Sequence, residues 1–187
     1  MQPLILASRS PRRQELLKQV NIPFETMPSD VDESRYPKES SPTQYVETLA
    51  CAKADHVLQQ HPGRIVLGSD TVVVIGDKIL GKPRDTEDAR EMLKELSGQV
   101  HSVLTGVAIL SDDRRTVFHG RADVRFYQLT DEDIQHYIDS GEPFDKAGAY
   151  GIQGLGAMLV EEIKGDYFTI VGMPVAQVVR AWRSFSQ

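Results

Sequence analysis

Asp70 lies inside Ile65-Val-Leu-Gly-Ser-Asp-Thr-Val-Val-Val-Ile75, an otherwise apolar, β-branched run of the kind found in strands buried on both faces. Isolated burial of a carboxylate is strongly unfavourable. Either Ser69 and Asp70 make a turn within the run, or Asp70 has a catalytic or metal-ligating role. Three further places carry chemistry-bearing side chains in unusual settings. The first is Leu4-Ile-Leu-Ala-Ser-Arg-Ser-Pro-Arg-Arg13, where a short apolar strand feeds a helix through a hydroxyl-rich turn. Free backbone N–H groups and the positive dipole end at such a junction suit an anion. Arg12 and Arg13 on the first turn add guanidinium forks that pair with phosphate oxygens. The plain alternative is a capped surface helix with two solvated arginines.

The second place is Lys53, which falls with Val46, Ala50 and Val57 on the apolar stripe of a helix expected over 42–60. It either snorkels to water or reaches a phosphate. The third is Asp145-Lys-Ala-Gly-Ala-Tyr-Gly-Ile-Gln-Gly-Leu-Gly156, which matches neither dinucleotide-binding nor Walker spacing. It is either a mobile loop between strands or a backbone that closes on a flat ligand, with Gln153 offering an amide donor and acceptor. Lys82 ends a hairpin built on Gly76-Asp77, which could return it towards Asp70. Asp30, Asp32 and Glu33 make the Pro- and Ser-punctuated stretch 28–42, including Ser40, an acidic loop. No Cys/His ligand cluster or defensible triad exists among the five histidines, and His101 and His56 read as structural. Carboxylates without imidazoles suit Mg²⁺ or Mn²⁺ held with substrate phosphates, and cations beside them suit cleavage of a phosphate ester or anhydride.

The elements that must position these groups follow from periodicity and caps. Strands are expected at Leu4–Ala7, Ile22–Thr26, 65–75, Lys78–Gly81, Val100–Leu110, Thr116–Leu129, Ala157–Ile163 and Tyr167–Val171. Helices are expected after Pro11, over 42–60, after a Thr86 cap up to Gly98, from the Thr130 cap to Ser140, and from Pro174 to about Ser184. With no repeat and no linker between them, these elements are expected to form one α/β domain spanning 1–187.

Composition narrows the classes. The 187 residues are 40% apolar and 26% charged, as in ordinary globular chains. A net charge of −6 argues against a general nucleic-acid binder. The lone Cys51 excludes an internal disulfide and suits a reducing cytoplasm. No signal-peptide pattern and no apolar run near the ~20 residues of a membrane span are present.

Together, Leu4-Ile-Leu-Ala-Ser-x-Ser-Pro-Arg-Arg13, Gly68-Ser-Asp-Thr71, Gly81-Lys-Pro83 and Asp145-Lys-Ala-Gly-Ala-Tyr-Gly-Ile-Gln-Gly154 resemble the Maf family of nucleotide pyrophosphatases. The resemblance implies a fold related to the inosine triphosphate pyrophosphatases, with an elongated mixed sheet, flanking helices and a cleft between two lobes. It implies metal-dependent hydrolysis of a nucleoside triphosphate to monophosphate and pyrophosphate in the cytoplasm, and family members are often homodimers. By matching position, Asp70 would be the general base for water attack on the α-phosphorus and would share the metal with Glu33. Ser8, Arg12, Arg13, Lys53 and Lys82 would hold the triphosphate. Arg12, Thr71 and Gln153 match the branch that resembles dTTP/UTP pyrophosphatases, whereas the 7-methyl-GTP branch carries an aromatic residue, Gln and Glu there. The rivals are a non-hydrolysing nucleotide-binding regulator of cell division and, disfavoured by charge, a nucleic-acid binder.

Overall fold

The computed structural model describes residues 3–38 and 41–185, so Ser40 lies outside the described residues. These form a mixed α/β fold around a seven-stranded sheet. Strand β1 (Leu4–Leu6) is fully buried and pairs in parallel with β2 (Phe24–Thr26) on one side and β3 (Val66–Ile75) on the other. The remaining strands are β4 (Lys78–Leu80), β5 (Val100–Leu110), β6 (Arg115–Phe126) and β7 (Val160–Gly165). The order across the sheet is β2-β1-β3-β5-β6-β7, with β4 paired to β3. The chain divides into two compact units. One holds the described residues up to Thr71, Thr105–Gly120 and those from Gly172 onward; the other holds Val72–Leu104 and Arg121–Val171.

Within the first unit, β1, α1 (Pro11–Gln19) and β2 form one parallel crossover, and β2, α2 (Pro42–Gln60) and β3 form a second that runs back past β1. Right-handed crossovers in opposite directions put their helices on opposite faces of the sheet. Both helices start as local chemistry dictates. The Ser10 and Ser41 hydroxyls accept from the N–H of Arg13 and Gln44, with Pro at the first helical position. Val46 of α2 is fully buried, and the helix's stripe buries Ala50, Ala54 and Val57 against Ile5 and Val66 of the sheet. Two glycines let it come close. A Cβ on Gly68 of β3 would stand 2.2 Å from the Ala50 carbonyl oxygen, and one on Gly106 of β5 would stand 2.3 Å from that of Val46.

In the second unit, the Gly76–Asp77 turn joins β3 to β4, with Val73 opposite Leu80. Helix α3 (Thr86–Leu96) is capped by the Asp85 carboxylate rather than by Thr86, because Asp85 reaches the Asp88 N–H at 2.8 Å. Helix α4 (Asp131–Asp139) has the full capping box expected at Thr130 and Asp133. The glycine-rich segment is a succession of 3-10 turns at Glu142–Asp145, Ala147–Ala149 and Gly154–Leu159, so β7 begins at Val160 and not at Ala157. Tyr167–Val171 is α5, a helix instead of the expected strand. The Asp166 carboxylate accepts from both the N–H and the hydroxyl of Thr169, which caps a turn, and β7 pairs with β6. In the first unit α6 (Val175–Phe185) closes the chain and buries Val175, Val178 and Trp182, with Val179 only partly buried.

His101 is a structural residue, only 2% exposed, with Nε2 2.6 Å from the Tyr150 hydroxyl and its ring edge-on to Phe126 and Tyr150. Burial depresses its pKa to about 4, against a weaker opposing pull from Asp123. The unfolded chain therefore takes up a proton near the ordinary value of about 6.5 that the folded chain refuses. The stabilisation from neutral His101 is complete above pH 6.5 and is lost as pH falls towards about 4. Urea unfolding across that window should show a stability loss of about 3 kcal/mol from this group, absent in His101→Phe. In a second test, Gly68→Ala should destabilise the fold by about 2 kcal/mol through overpacking against α2, read as a lowered urea midpoint.

Candidate active site

The first unit gathers most of the expected residues at the ends of β1 and α1 and along β3. Alternation along a strand sends Gly68 and Asp70 to one face and Ser69 and Thr71 to the other. β3 runs unbroken through all four, so Ser69 and Asp70 make no turn. On the α2 face, Asp70 is 8% exposed and its Oδ1 accepts from Lys53 Nζ at 2.6 Å. The same ammonium lies 2.8 Å from Glu33 Oε1, whose side chain is 53% exposed, at the start of a 3-10 turn over Glu33–Arg35. Lys53 therefore does not snorkel. Its stem follows the apolar stripe and its charge stands between two carboxylates.

Asp32 and Asp30, in the described part of the 28–42 loop, have separate partners. Asp32 caps that turn, and hydrogen bonds from the Ser34 hydroxyl and N–H hold its carboxyl below the usual range. Asp30 pairs with Arg9 in a contact exposed on both sides, which contributes little.

On the opposite face of β3 lies Arg13, half-buried. Its Nε donates to the Gly172 carbonyl at 2.8 Å. Nη1 donates to Ser8 Oγ at 3.3 Å and to the Ser69 carbonyl at 3.0 Å, and Nη2 to Thr71 Oγ1 at 2.9 Å. Burial lowers its pKa most; Asp70 opposes that shift, Arg12 adds to it, and Glu33 opposes it again. Arg13 thus ties the loop after β1 to β3 and to the turn at Gly172, while Arg12, one residue earlier, is half-buried on the same helical turn.

Lys82 and Gln153 belong to the second unit, and both are exposed. Lys82 follows Gly81, whose carbonyl accepts from the Gly148 N–H at 3.0 Å, so the segments carrying these two side chains are tied together. Gly148 sits at φ 70° with its α-carbon against Val73, a position without room for a Cβ.

Three groups escaped the sequence reading. Tyr45 of α2 is 5% exposed, and its phenol is pushed up first by burial and then by the charges of Asp70 and Glu33. Thr105 of β5 is fully buried with its hydroxyl 2.8 Å from that of Thr71. Glu142 accepts from the N–H groups of Leu155 and Gly156. A tyrosine two turns upstream of Lys53 was the one available signal; Thr105 and Glu142 offered none.

Carboxylates and cations gathered where a parallel βαβ pair ends and the crossovers change face define an α/β protein built to handle an anionic ligand. The chain belongs to the Maf-like protein family, which matches residues 3–185. It is 49% identical over 185 residues to a dTTP/UTP pyrophosphatase of Bacillus cytotoxicus, covering 99% of this chain and 96% of that protein. It is 51% identical over 181 residues to a dTTP/UTP pyrophosphatase of Halalkalibacterium halodurans, covering 97% and 95%. Its fold resembles that of a HAM1 protein from Coxiella burnetii, with a TM-score of 0.54 at 16% identity over 98% of this chain and 100% of that one.

Removing Arg13 leaves Ser8, the Ser69 and Gly172 carbonyls and Thr71 without their common donor. Arg13→Ala should lower unfolding free energy by about 3 kcal/mol in urea titrations. Arg13→Lys should recover less than half of that, because an ammonium cannot reproduce the planar fork.

Proposed function

We propose that this chain is a nucleoside triphosphate pyrophosphatase that converts dTTP and UTP to the monophosphate and pyrophosphate. The observation that carries the proposal is Asp70: a carboxylate 8% exposed in the middle of an apolar strand, matched to an ammonium that also binds Glu33. A purely structural strand has no use for that arrangement. A carboxylate held in a fixed place to receive a proton from water does. The substrate class comes from the similarity to dTTP/UTP pyrophosphatases over nearly the whole length of both chains.

In the proposed reaction a water oxygen attacks the α-phosphorus, Asp70 accepts the water's proton, and the bond from that phosphorus to the α–β bridging oxygen breaks. Pyrophosphate leaves. Ser8, Arg12, Lys53 and Lys82 bind the triphosphate oxygens. Arg13 adds charge from its half-buried seat and keeps Ser8 and Thr71 in place, and Gln153 meets the mixed donor and acceptor edge of uracil or thymine.

A divalent cation fits the donor set. Among the described residues no group of three or more His, Cys, Asp or Glu is arranged around one point as a metal site. The Glu33 and Asp70 carboxylates nevertheless lie within hydrogen-bond reach of one ammonium, 2.8 and 2.6 Å away, so their oxygens converge. All-oxygen donors of this kind suit Mg²⁺ or Mn²⁺, which takes its remaining ligands from phosphate and water. When bound, the ion supplies charge stabilisation to the phosphate oxygens.

No helix among the described residues is long and apolar enough to cross a membrane. The proposal includes a cytoplasmic setting and a single functional domain over 1–187, supported by one family match across 3–185.

Incubation of the purified protein with dTTP, UTP, CTP and 7-methyl-GTP and either metal should release pyrophosphate chiefly from the first two. Asp70→Asn should slow that release about a thousandfold while leaving nucleotide binding largely intact. Binding without release from any nucleotide would sink the hydrolase and leave a nucleotide sensor.

A further inference from the structure

Gln153 stands at the start of the 3-10 turn Gly154–Leu159, in backbone that no regular strand or helix supports. What secures that turn is a carboxylate eleven residues upstream. Glu142 is half-buried and opens its own 3-10 turn directly after Gly141, which has φ 75°. Its Oε1 accepts from the Leu155 N–H at 3.0 Å and its Oε2 from the Gly156 N–H at 3.3 Å. Two consecutive amides immediately beyond Gln153-Gly154 thus share one charged acceptor. The approach is close enough that a Cβ on Gly154 would lie 2.5 Å from Glu142 Oε1, and Gly154 itself has φ 63°.

The surrounding ties leave this turn little freedom except at Gln153. The Gly151 N–H donates to the Tyr137 hydroxyl at 3.0 Å, and a Cβ on Gly156 would strike the Gly151 carbonyl oxygen. Lys146 Nζ binds the Glu142 carbonyl at 2.6 Å and Asp145 at 2.7 Å, which steadies the Glu142 backbone in turn. Charge-assisted hydrogen bonds to backbone amides are the strong members of such a set.

We propose that Glu142 is a positioning residue for substrate selection: its carboxylate clamps the Leu155 and Gly156 amides and so presents Gln153 to the nucleobase. The clamp acts on the base and not on the phosphates, since no phosphate-binding group sits on the turn. This inference rests on Gln153 meeting the base in the proposed function.

The test compares α,β-methylene-UTP, which binds without being cleaved, with inorganic tripolyphosphate, which has no base. Calorimetry on folded Glu142→Ala should show UTP-analogue affinity weakened about tenfold, the value of roughly one lost hydrogen bond, with tripolyphosphate affinity unchanged. Gln153→Ala should give the same pattern, and the double variant no further loss. Glu142→Gln should fall between wild type and Glu142→Ala, because an amide oxygen accepts from one N–H while its NH₂ faces the other as a second donor. Glu142→Gln also decides the matter if Glu142→Ala does not fold. Equal weakening of both ligands, or no change in either, would overturn the proposal. So would an effect of Glu142→Ala on the UTP analogue that Gln153→Ala does not reproduce. A wild-type protein that shows this binding pattern yet releases no pyrophosphate from UTP overturns the hydrolase instead and leaves the clamp standing.

Discussion

The ammonium of Lys53 stands 2.8 and 2.6 Å from two carboxylates, and that arrangement depends on how closely α2 lies on the sheet. Gly68 and Gly106 supply the closeness, because at both positions a methyl group would meet a carbonyl oxygen of the helix. The geometry then follows from strand alternation. Asp70 is two residues beyond Gly68 and faces the same helix, while Lys53 lies within a turn of Ala50 and Ala54, the residues that touch Gly68. An ion pair this sheltered is weak evidence for net stability, since desolvation offsets much of the attraction. Its value is in aiming a carboxylate within an apolar strand, with Glu33 brought in from the loop.

The second face of β3 is organised by one guanidinium. Arg13 binds Ser8, the Ser69 carbonyl, Thr71 and the Gly172 carbonyl, so the loop after β1 and the strand bearing Asp70 are held in register. Two neighbouring arginines on one helical turn thereby take different roles. Arg13 spans the loop after β1, β3 and the turn at Gly172, and Arg12 sits beside it on the first turn of α1. In the second unit the same economy appears without regular structure. The Gly81–Gly148 and Glu142–Leu155 and –Gly156 bonds tie down the segments that carry Lys82 and Gln153.

Features written in local chemistry were legible in the sequence. Ser10-Pro11, Ser41-Pro42 and Thr130-Asp-Glu-Asp133 start helices where their hydroxyls and prolines say they should, because a cap involves residues only three apart. The conflict of Asp70 with its apolar run and of Lys53 with its stripe was equally plain. Who partners them was not, since Glu33, Lys53 and Asp70 meet only through tertiary packing. Arg12 and Arg13 are about 100° apart around a helix, and the sequence cannot tell which one faces β3. Tyr167–Val171 misled because a five-residue apolar run fits a strand or a short helix alike, and the Asp166 cap decided it. Asp85 and Thr86 are both able caps, and the carboxylate one residue earlier won. Glu142 carries no motif at all; its role exists only in the contact it makes thirteen and fourteen residues on.

The central claim is that the Asp70 carboxylate directs water to the α-phosphorus of a pyrimidine nucleoside triphosphate. Hydrolysis of UTP in ¹⁸O-labelled water, with both products examined by mass spectrometry, tests it most directly. Label in the nucleoside monophosphate and none in pyrophosphate is the result expected for attack at that phosphorus. Label in pyrophosphate, or release of orthophosphate in its place, would contradict the claim and move the point of attack down the phosphate chain.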